Sequence, residues 1–425
     1  MAMSSAPTSI PAADAPASRY PLVVVTMLFF MWGLLTSLND VLIPHLKAIY
    51  TLTYVQAMLV QFCFFGAYFI VSLPAGALIR RIGYQRGAVT GLAIAAAGCL
   101  LFYPAANSGY WLFLIAFFVL AAGITILQVA ANPYVTVLGD PRTASSRLTL
   151  TQAFNSLGTT VGPYVGSVLI LTGATVMTSE QIAAMTPAAQ AVYRAEEAAT
   201  VQGPYLVLAG ALALLAVVFA MVRLPRIRHD EGHAGGGASI LRHRHLVFGV
   251  VGIFLYVGAE VSIGSFLVNF FAERHIGAMD HASAGKLVAV YWLLAMIGRF
   301  IGSAVMRVVR PGLVLAFCAA MAAALVLTAI LAQGTTAIVA ILGVGLFNSI
   351  MFPTIFSMAL HGLGDETGKG SGLLCMAIVG GAIVPFVQGA FADGIGLQPS
   401  FFVPMLCYLV ILAFGLKYAR LYDSA

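Results

Sequence analysis

Two carboxylates and a row of amides sit inside stretches apolar enough to be buried in lipid. Asp40 falls within the run 20–46, in Thr36-Ser-Leu-Asn-Asp-Val-Leu-Ile-Pro44, and Glu260 within the run 246–272. A carboxylate at bilayer depth costs roughly 2.5–3.5 kcal/mol on insertion scales, so such residues mark ion or solute sites. Pro44 has no N–H, and the carbonyl four residues back, that of Asp40, loses its helical donor. A carboxylate, a freed carbonyl and the amide of Asn39 thus coincide where a proton or a Na⁺ could bind. Asn39, Asp40 and Glu260 are the candidate cation-coupling residues.

Helical neighbours lie three or four residues apart. Trp32, Thr36 and Asp40 therefore share one face, as do Thr125, Gln128 and Asn132, and likewise Gln152, Asn155, Ser156 and Thr159. Tyr256 aligns with Glu260, Ser262 and Phe266 with Asn269, and Asn348 with Phe352. Amides donate and accept, which matches vicinal hydroxyls, and an aromatic face covers the C–H side of a sugar ring. The candidate solute-binding set is Trp32, Asp40, Gln128, Asn132, Gln152, Asn155, Tyr256, Glu260, Asn269 and Asn348. An amino acid or a nucleoside would use similar groups. A lone membrane amide such as Gln61, Asn348 or Gln388 is more often a bond between helices than a ligand contact. Arg299 reads as a snorkelling residue or as a partner of Asp393. The run Phe62–Phe69 reads as lipid-facing and helix-packing.

These residues need helices to hold them. The chain has 425 residues, 61% hydrophobic and 8% charged, with a mean hydropathy of +0.97. Soluble domains run near 25% charged, so the composition excludes an ordinary soluble globule. Each crossing needs about 20 apolar residues. Twelve runs meet that length: 20–46, 54–79, 86–106, 110–138, 147–172, 203–223, 246–272, 282–306, 311–332, 335–361, 369–394 and 399–421. The expected class is an all-α membrane protein in a lipid bilayer. Residues 1–19 read as a disordered cytoplasmic tail, and the polar stretch 174–202 as a short surface helix on the outer side. Arg80, Arg81, Arg86, Arg142, Arg147, Arg226, Arg242, Arg307, Arg310, Lys369, Lys417 and Arg420 share one side, against Lys47, Arg194, Arg274 and Lys286 on the other. That asymmetry places both termini in the cytoplasm. It also explains the pI of 9.1 without nucleic acid. The five cysteines are widely spaced, with no CxxC, so neither a metal nor a disulfide is expected beyond a Na⁺ at Asp40.

A Gly-rich charged stretch, 224–245, reads as a cytoplasmic linker between bundles 20–223 and 246–425. The second bundle repeats the first about 220 residues later, in the parallel manner of carriers that bind at the midplane. Gly76–Arg81 resembles Gly302–Arg307, Gly139-Asp140 resembles Gly364-Asp365, Asn132-Pro-Tyr-Val135 resembles Phe352-Pro-Thr-Ile355, and Val161-Gly-Pro163 resembles Ile383-Val-Pro385. Twelve transmembrane helices in two pseudo-symmetric six-helix bundles are the major facilitator fold. Gly158, Gly162 and Gly166, and again Gly298 and Gly302, form ladders that let helices approach closely, either as plain tight packing or as halves that rock would need.

Leu38-Asn-Asp-Val-Leu-Ile-Pro44, Gln128-Val-Ala-Ala-Asn-Pro-Tyr-Val-Thr-Val-Leu-Gly139, Gln152-Ala-Phe-Asn-Ser-Leu-Gly158, Tyr256-Val-Gly-Ala-Glu260 and Phe352-Pro-Thr-Ile-Phe356 resemble the fucose–galactose–glucose:cation symporters of the major facilitator superfamily. The resemblance implies a bacterial inner-membrane sugar importer working by alternating access. In the L-fucose:proton branch, Asp40, Trp32, Gln152 and Asn155 match residues of the sugar and coupling sites. Gln128 stands where that branch has a glutamate, and Glu260 where it has a glutamine, so the pattern is closer to the glucose/galactose branch. The function expected is cation symport of a neutral hexose by a monomer, with co-transported H⁺ or Na⁺ and no cofactor. The choice among glucose, galactose, mannose and N-acetylglucosamine stays open. An exporter of amphipathic compounds on the same fold is the alternative, against which the amide stripe argues. No HExxH, nucleophile elbow or P-loop suggests an enzyme.

Overall fold

A computed structural model describes residues 20–50, 54–108, 110–170, 184–186, 188–190, 192–193, 202–222 and 240–421, and within these not the side chains of 35, 36, 38–50, 54–61, 106–108, 163–170 and 281–282. The expected tail 1–19, most of the linker 224–245 and most of 174–202 lie outside them, as do the side chains of Asn39, Asp40 and Gln61.

The first half comprises α1 (Tyr20–Tyr50), α2 (Tyr54–Ile82), α3 (Tyr84–Ser108), α4 (Tyr110–Val137), α5 (Ala144–Ile170) and α6 (Gln202–Met221). The second begins with α7 (Arg244–Ala272), α8 (His281–Val305) and α9 (Pro311–Leu331). Its last three crossings are built from pieces: α10 (Gly334–Asn348) with α11 (Met351–Leu360), α12 (Thr367–Met376) with α13 (Gly380–Ile395), and α14 (Leu397–Ser400) with α15 (Phe402–Lys417). Ten stretches among the described residues are long and apolar enough to cross a membrane. Helices α1 and α5, at 31 and 27 residues, complete the twelve.

Packing repeats between the halves. Within the first, α1 packs on α5, α3 on α4 and α6, and α2 on α4. Within the second, α7 packs on α13, α9 on α10 and α15, and α8 on α10. The two seams joining the halves obey the same symmetry, α2 against α12 and α8 against α5. The repeated Gly-Asp pairs have a backbone reason. Gly139 (φ +101°) and Gly364 (φ +50°) turn the chain in the left-handed region after the fourth and tenth crossings. The Asp140 side chain then caps the next turn, accepting from the Arg142 N–H at 2.8 Å, and Arg147 donates to the carbonyls of Thr136 and Asp140.

The glycine ladders act inside the halves rather than between them. A Cβ on Gly158 would strike the backbone of Phe30 and Leu34, and one on Gly162 would strike Ser37, so α5 lies directly on α1. Gly298 and Gly302 press α8 onto Leu346 and Ile350 in the same way. The close approach across the seam comes from other glycines. A Cβ on Gly76 would sit 2.7 Å from the Gly368 carbonyl, and one on Gly372 2.8 Å from that of Ser72. Hydroxyls finish the closure. Ser145 and Ser357 share a hydrogen bond at 2.7 Å, and Ser146 donates to the Ser303 carbonyl at 2.6 Å. These contacts lie at the end that carries Arg80, Arg142, Arg147, Arg307 and Lys369.

Candidate functional site

On α7, Tyr256 and Glu260 are one helical turn apart, and the Tyr256 hydroxyl donates to Glu260 Oε1 at 2.8 Å. Arg299 on α8 places Nη2 3.6 Å from the same oxygen, with side chains 14% and 16% exposed. Arg299 was expected to snorkel or to meet Asp393. Asp393 is exposed near the far end of α13, while Arg299 lies toward the basic end of α8, and the insertion energetics are met instead by Glu260 at mid-helix.

The other two guanidinium nitrogens have partners as well. Nε donates to the Ser349 carbonyl at 3.1 Å. That carbonyl is available because Pro353, four residues on, has no N–H to offer it. The same proline explains the break at Ser349–Ile350 between α10 and α11. Nη1 donates to the Gln152 carbonyl at 3.4 Å and to the Ser156 hydroxyl, both on α5 of the opposite half. The matching proline of the first half does the same. Pro133 frees the Val129 carbonyl, and Ser371, across the other seam, donates to it at 3.0 Å.

The other expected site residues divide by burial. Gln128 and Gln152 are 8% and 7% exposed, and the Gln128 Oε1 has no hydrogen-bond partner among the described residues. Asn155 is half-buried and donates to the Phe29 carbonyl at 2.9 Å. Trp32 is 5% exposed with its ring 5.3 Å from Phe29. Asn269 is exposed near the end of α7. Asn132 and Asn348 are sealed in this conformation, both at 0% exposure. Asn348 donates to the hydroxyls of Tyr291 at 2.7 Å and Tyr408 at 3.4 Å, so its amide nitrogen serves the interior of the second half in this conformation, while its Oδ1 has no partner among the described residues. Gln388 is likewise buried and reaches Ser400 at 3.4 Å, a bond between crossings.

Glu260, expected to bind sugar hydroxyls or to share the coupled cation, is paired with the Arg299 guanidinium in this conformation. The helix bearing Asn39 and Asp40 is described, their side chains are not. Among the described residues no cluster of His, Cys, Asp or Glu could hold a metal ion. Sequence reasoning missed Tyr291 and Tyr408, and it left Arg299 and Ser156 out of the site. One signal was available: Arg299 is a buried charge, and Pro353 frees a carbonyl in the same half.

Residues 24–378 match the Major Facilitator Superfamily. The chain is 54% identical over 419 residues to a glucose/galactose transporter of Brucella abortus, covering 97% of this chain and 98% of that protein. It is 35% identical over 414 residues to the L-fucose-proton symporter of Escherichia coli, covering 95% and 94%. The crystal structure of a Major Facilitator Superfamily transporter, FucP, in the outward conformation superposes with a TM-score of 0.88 at 34% identity, covering 95% of this chain and 99% of that one.

Proposed function

Since this chain belongs to the Major Facilitator Superfamily, a family of membrane carriers rather than enzymes, we propose that it imports a neutral hexose, glucose or galactose, together with a cation by alternating access. The observation that carries this reading is a mid-membrane carboxylate, Glu260, oriented by Tyr256 and paired with Arg299, whose guanidinium also reaches α5 of the opposite half. The similarity to a glucose/galactose transporter supports the substrate class.

In this reading Glu260 accepts hexose hydroxyls, and Gln128, Gln152 and Asn155 face it from the first half. Trp32 supplies the aromatic plate, and Asn269 meets the sugar nearer the outer mouth. Asn132, buried in this conformation, joins the site when the halves reorient. The cation binds or protonates at Asp40, aided by Asn39 and the carbonyl that Pro44 frees. The chain sits in the bacterial inner membrane with the basic end cytoplasmic, and the seam contacts close that end.

Uptake of labelled glucose and galactose into proteoliposomes, under sodium and pH gradients imposed separately, tests the reading. A cation crossing 100 mV supplies about 2.3 kcal/mol, roughly fifty-fold accumulation of sugar. Asp40→Asn should reduce accumulation to simple equilibration while sugar exchange continues. Undiminished accumulation by that variant would refute coupling at Asp40.

A further inference from the structure

We propose that Arg299 couples occupancy of the Glu260 site to closure of the seam between the halves, a step that rests on the hexose reading above. Its guanidinium has three kinds of partner, each on a different part of the machine. Glu260 is on α7, at the solute site. The Ser349 carbonyl is at the break between α10 and α11. The Gln152 carbonyl and Ser156 hydroxyl are on α5, in the opposite half. No other described residue joins the solute carboxylate to the facing bundle by hydrogen bonds and charge at once.

A guanidinium presents five N–H donors in a rigid plane, so the pull on one edge sets the direction of the others. Glu260 holds Nη2 and thereby aims Nη1 at α5. Just beyond lie Phe154 against Phe300, with ring centroids 5.9 Å apart, and then Ser146 against Ser303. Arg299 therefore stands at the inner limit of the closed seam. Hexose hydroxyls that donate to Glu260 draw its charge away from the guanidinium, and the hold on α5 weakens. A ligand shifts a conformational equilibrium only through a difference in affinity between the two states, and this competition for one carboxylate provides it. The empty carrier stays latched, and the loaded one opens toward the basic end. Arg299 is a positioning residue in this scheme and does not touch the sugar.

The test uses the full chain in proteoliposomes with Ser146→Cys as reporter, since Ser146 is 3% exposed within the seam. A membrane-permeant maleimide should label it slowly in the parent. Ser156→Ala removes the side-chain partner on α5, leaves the longer bond to the Gln152 carbonyl and keeps the Glu260 pair. Glu260→Gln with Arg299→Gln removes the latch without leaving a buried unpaired charge, which the single Arg299 change would do. Both should raise the labelling rate about tenfold, the scale of one lost bond to a charged group. Native Cys99, buried between α3 and α4, should stay unlabelled and so report an intact fold. Galactose should speed labelling in the parent and have no effect in the double variant. Parental labelling rates in both variants would overturn the proposal. Faster labelling in the variants, with a parent indifferent to glucose and galactose alike, would keep the latch and overturn its coupling to a hexose.

Discussion

At the residue scale, buried polar groups behave according to whether a partner reaches them. Asn348 satisfies Tyr291 and Tyr408 at 0% exposure. Removing such an amide leaves two phenolic hydroxyls short of a partner, each at a cost of about 1–3 kcal/mol. Asn348→Ala should therefore lower the thermal midpoint in detergent while changing hexose affinity less than about twofold, on the scale where tenfold is 1.4 kcal/mol. Isothermal titration beside a melting curve separates the two effects. Tyr256→Phe should do the reverse. It takes one bond from Glu260 and leaves the interior filled, so affinity should fall by about tenfold with little change in melting. If Asn348→Ala proved the more damaging to affinity, the assignment of Asn348 to the interior would be wrong.

At the element scale, tight helix pairs depend on glycine only where a backbone lies against it. Gly158→Ala should prevent stable assembly of the first half, because the new methyl meets the Phe30 carbonyl. Gly210→Ala in α6 meets nothing within 4 Å, and should be neutral or stabilising by up to about 1 kcal/mol. Yield of monodisperse protein after extraction distinguishes them. The sequence shows both ladders plainly, as small residues one turn apart, but it does not say which helix each ladder meets. That depends on how far each helix is rotated about its own axis, which many distant packing contacts decide together. The twelve crossings, by contrast, are legible because apolar runs of about 20 residues have one use in a chain this hydrophobic. Asp393 shows the limit again. It and Arg299 looked like partners by charge, yet they face opposite ends of the bundle. The break at Ser349–Ile350 was legible in principle from Pro353, since the missing N–H sits four residues beyond the carbonyl it strands.

At the scale of the whole molecule, two rigid halves meet along two symmetry-related seams lined by glycine and serine. The internal repeat predicts that architecture, since equivalent helices in each half must present equivalent faces. It does not predict which end is closed, because both conformations use the same sequence. The closed end is held by short polar contacts that a covalent bond can replace. Ser145 on α5 and Ser357 on α11 bring their hydroxyl oxygens to 2.7 Å, each buried, at the heart of the basic-end closure. Cysteines there place two sulfurs close to the 2.05 Å of a disulfide with little movement of the backbone. Ser145→Cys with Ser357→Cys should be fully active under reductant, because the substitutions are small and neither residue lines the solute site. Mild oxidant should then arrest net uptake and exchange together, and reductant should restore both. Hexose should still bind to the locked protein from the outer side, since the Glu260 site lies beyond the bond, and equilibrium binding of labelled galactose checks this. Uptake that continues with the bond demonstrably formed would mean that this seam need not open during transport, and that the halves do not exchange access by parting at Ser145 and Ser357.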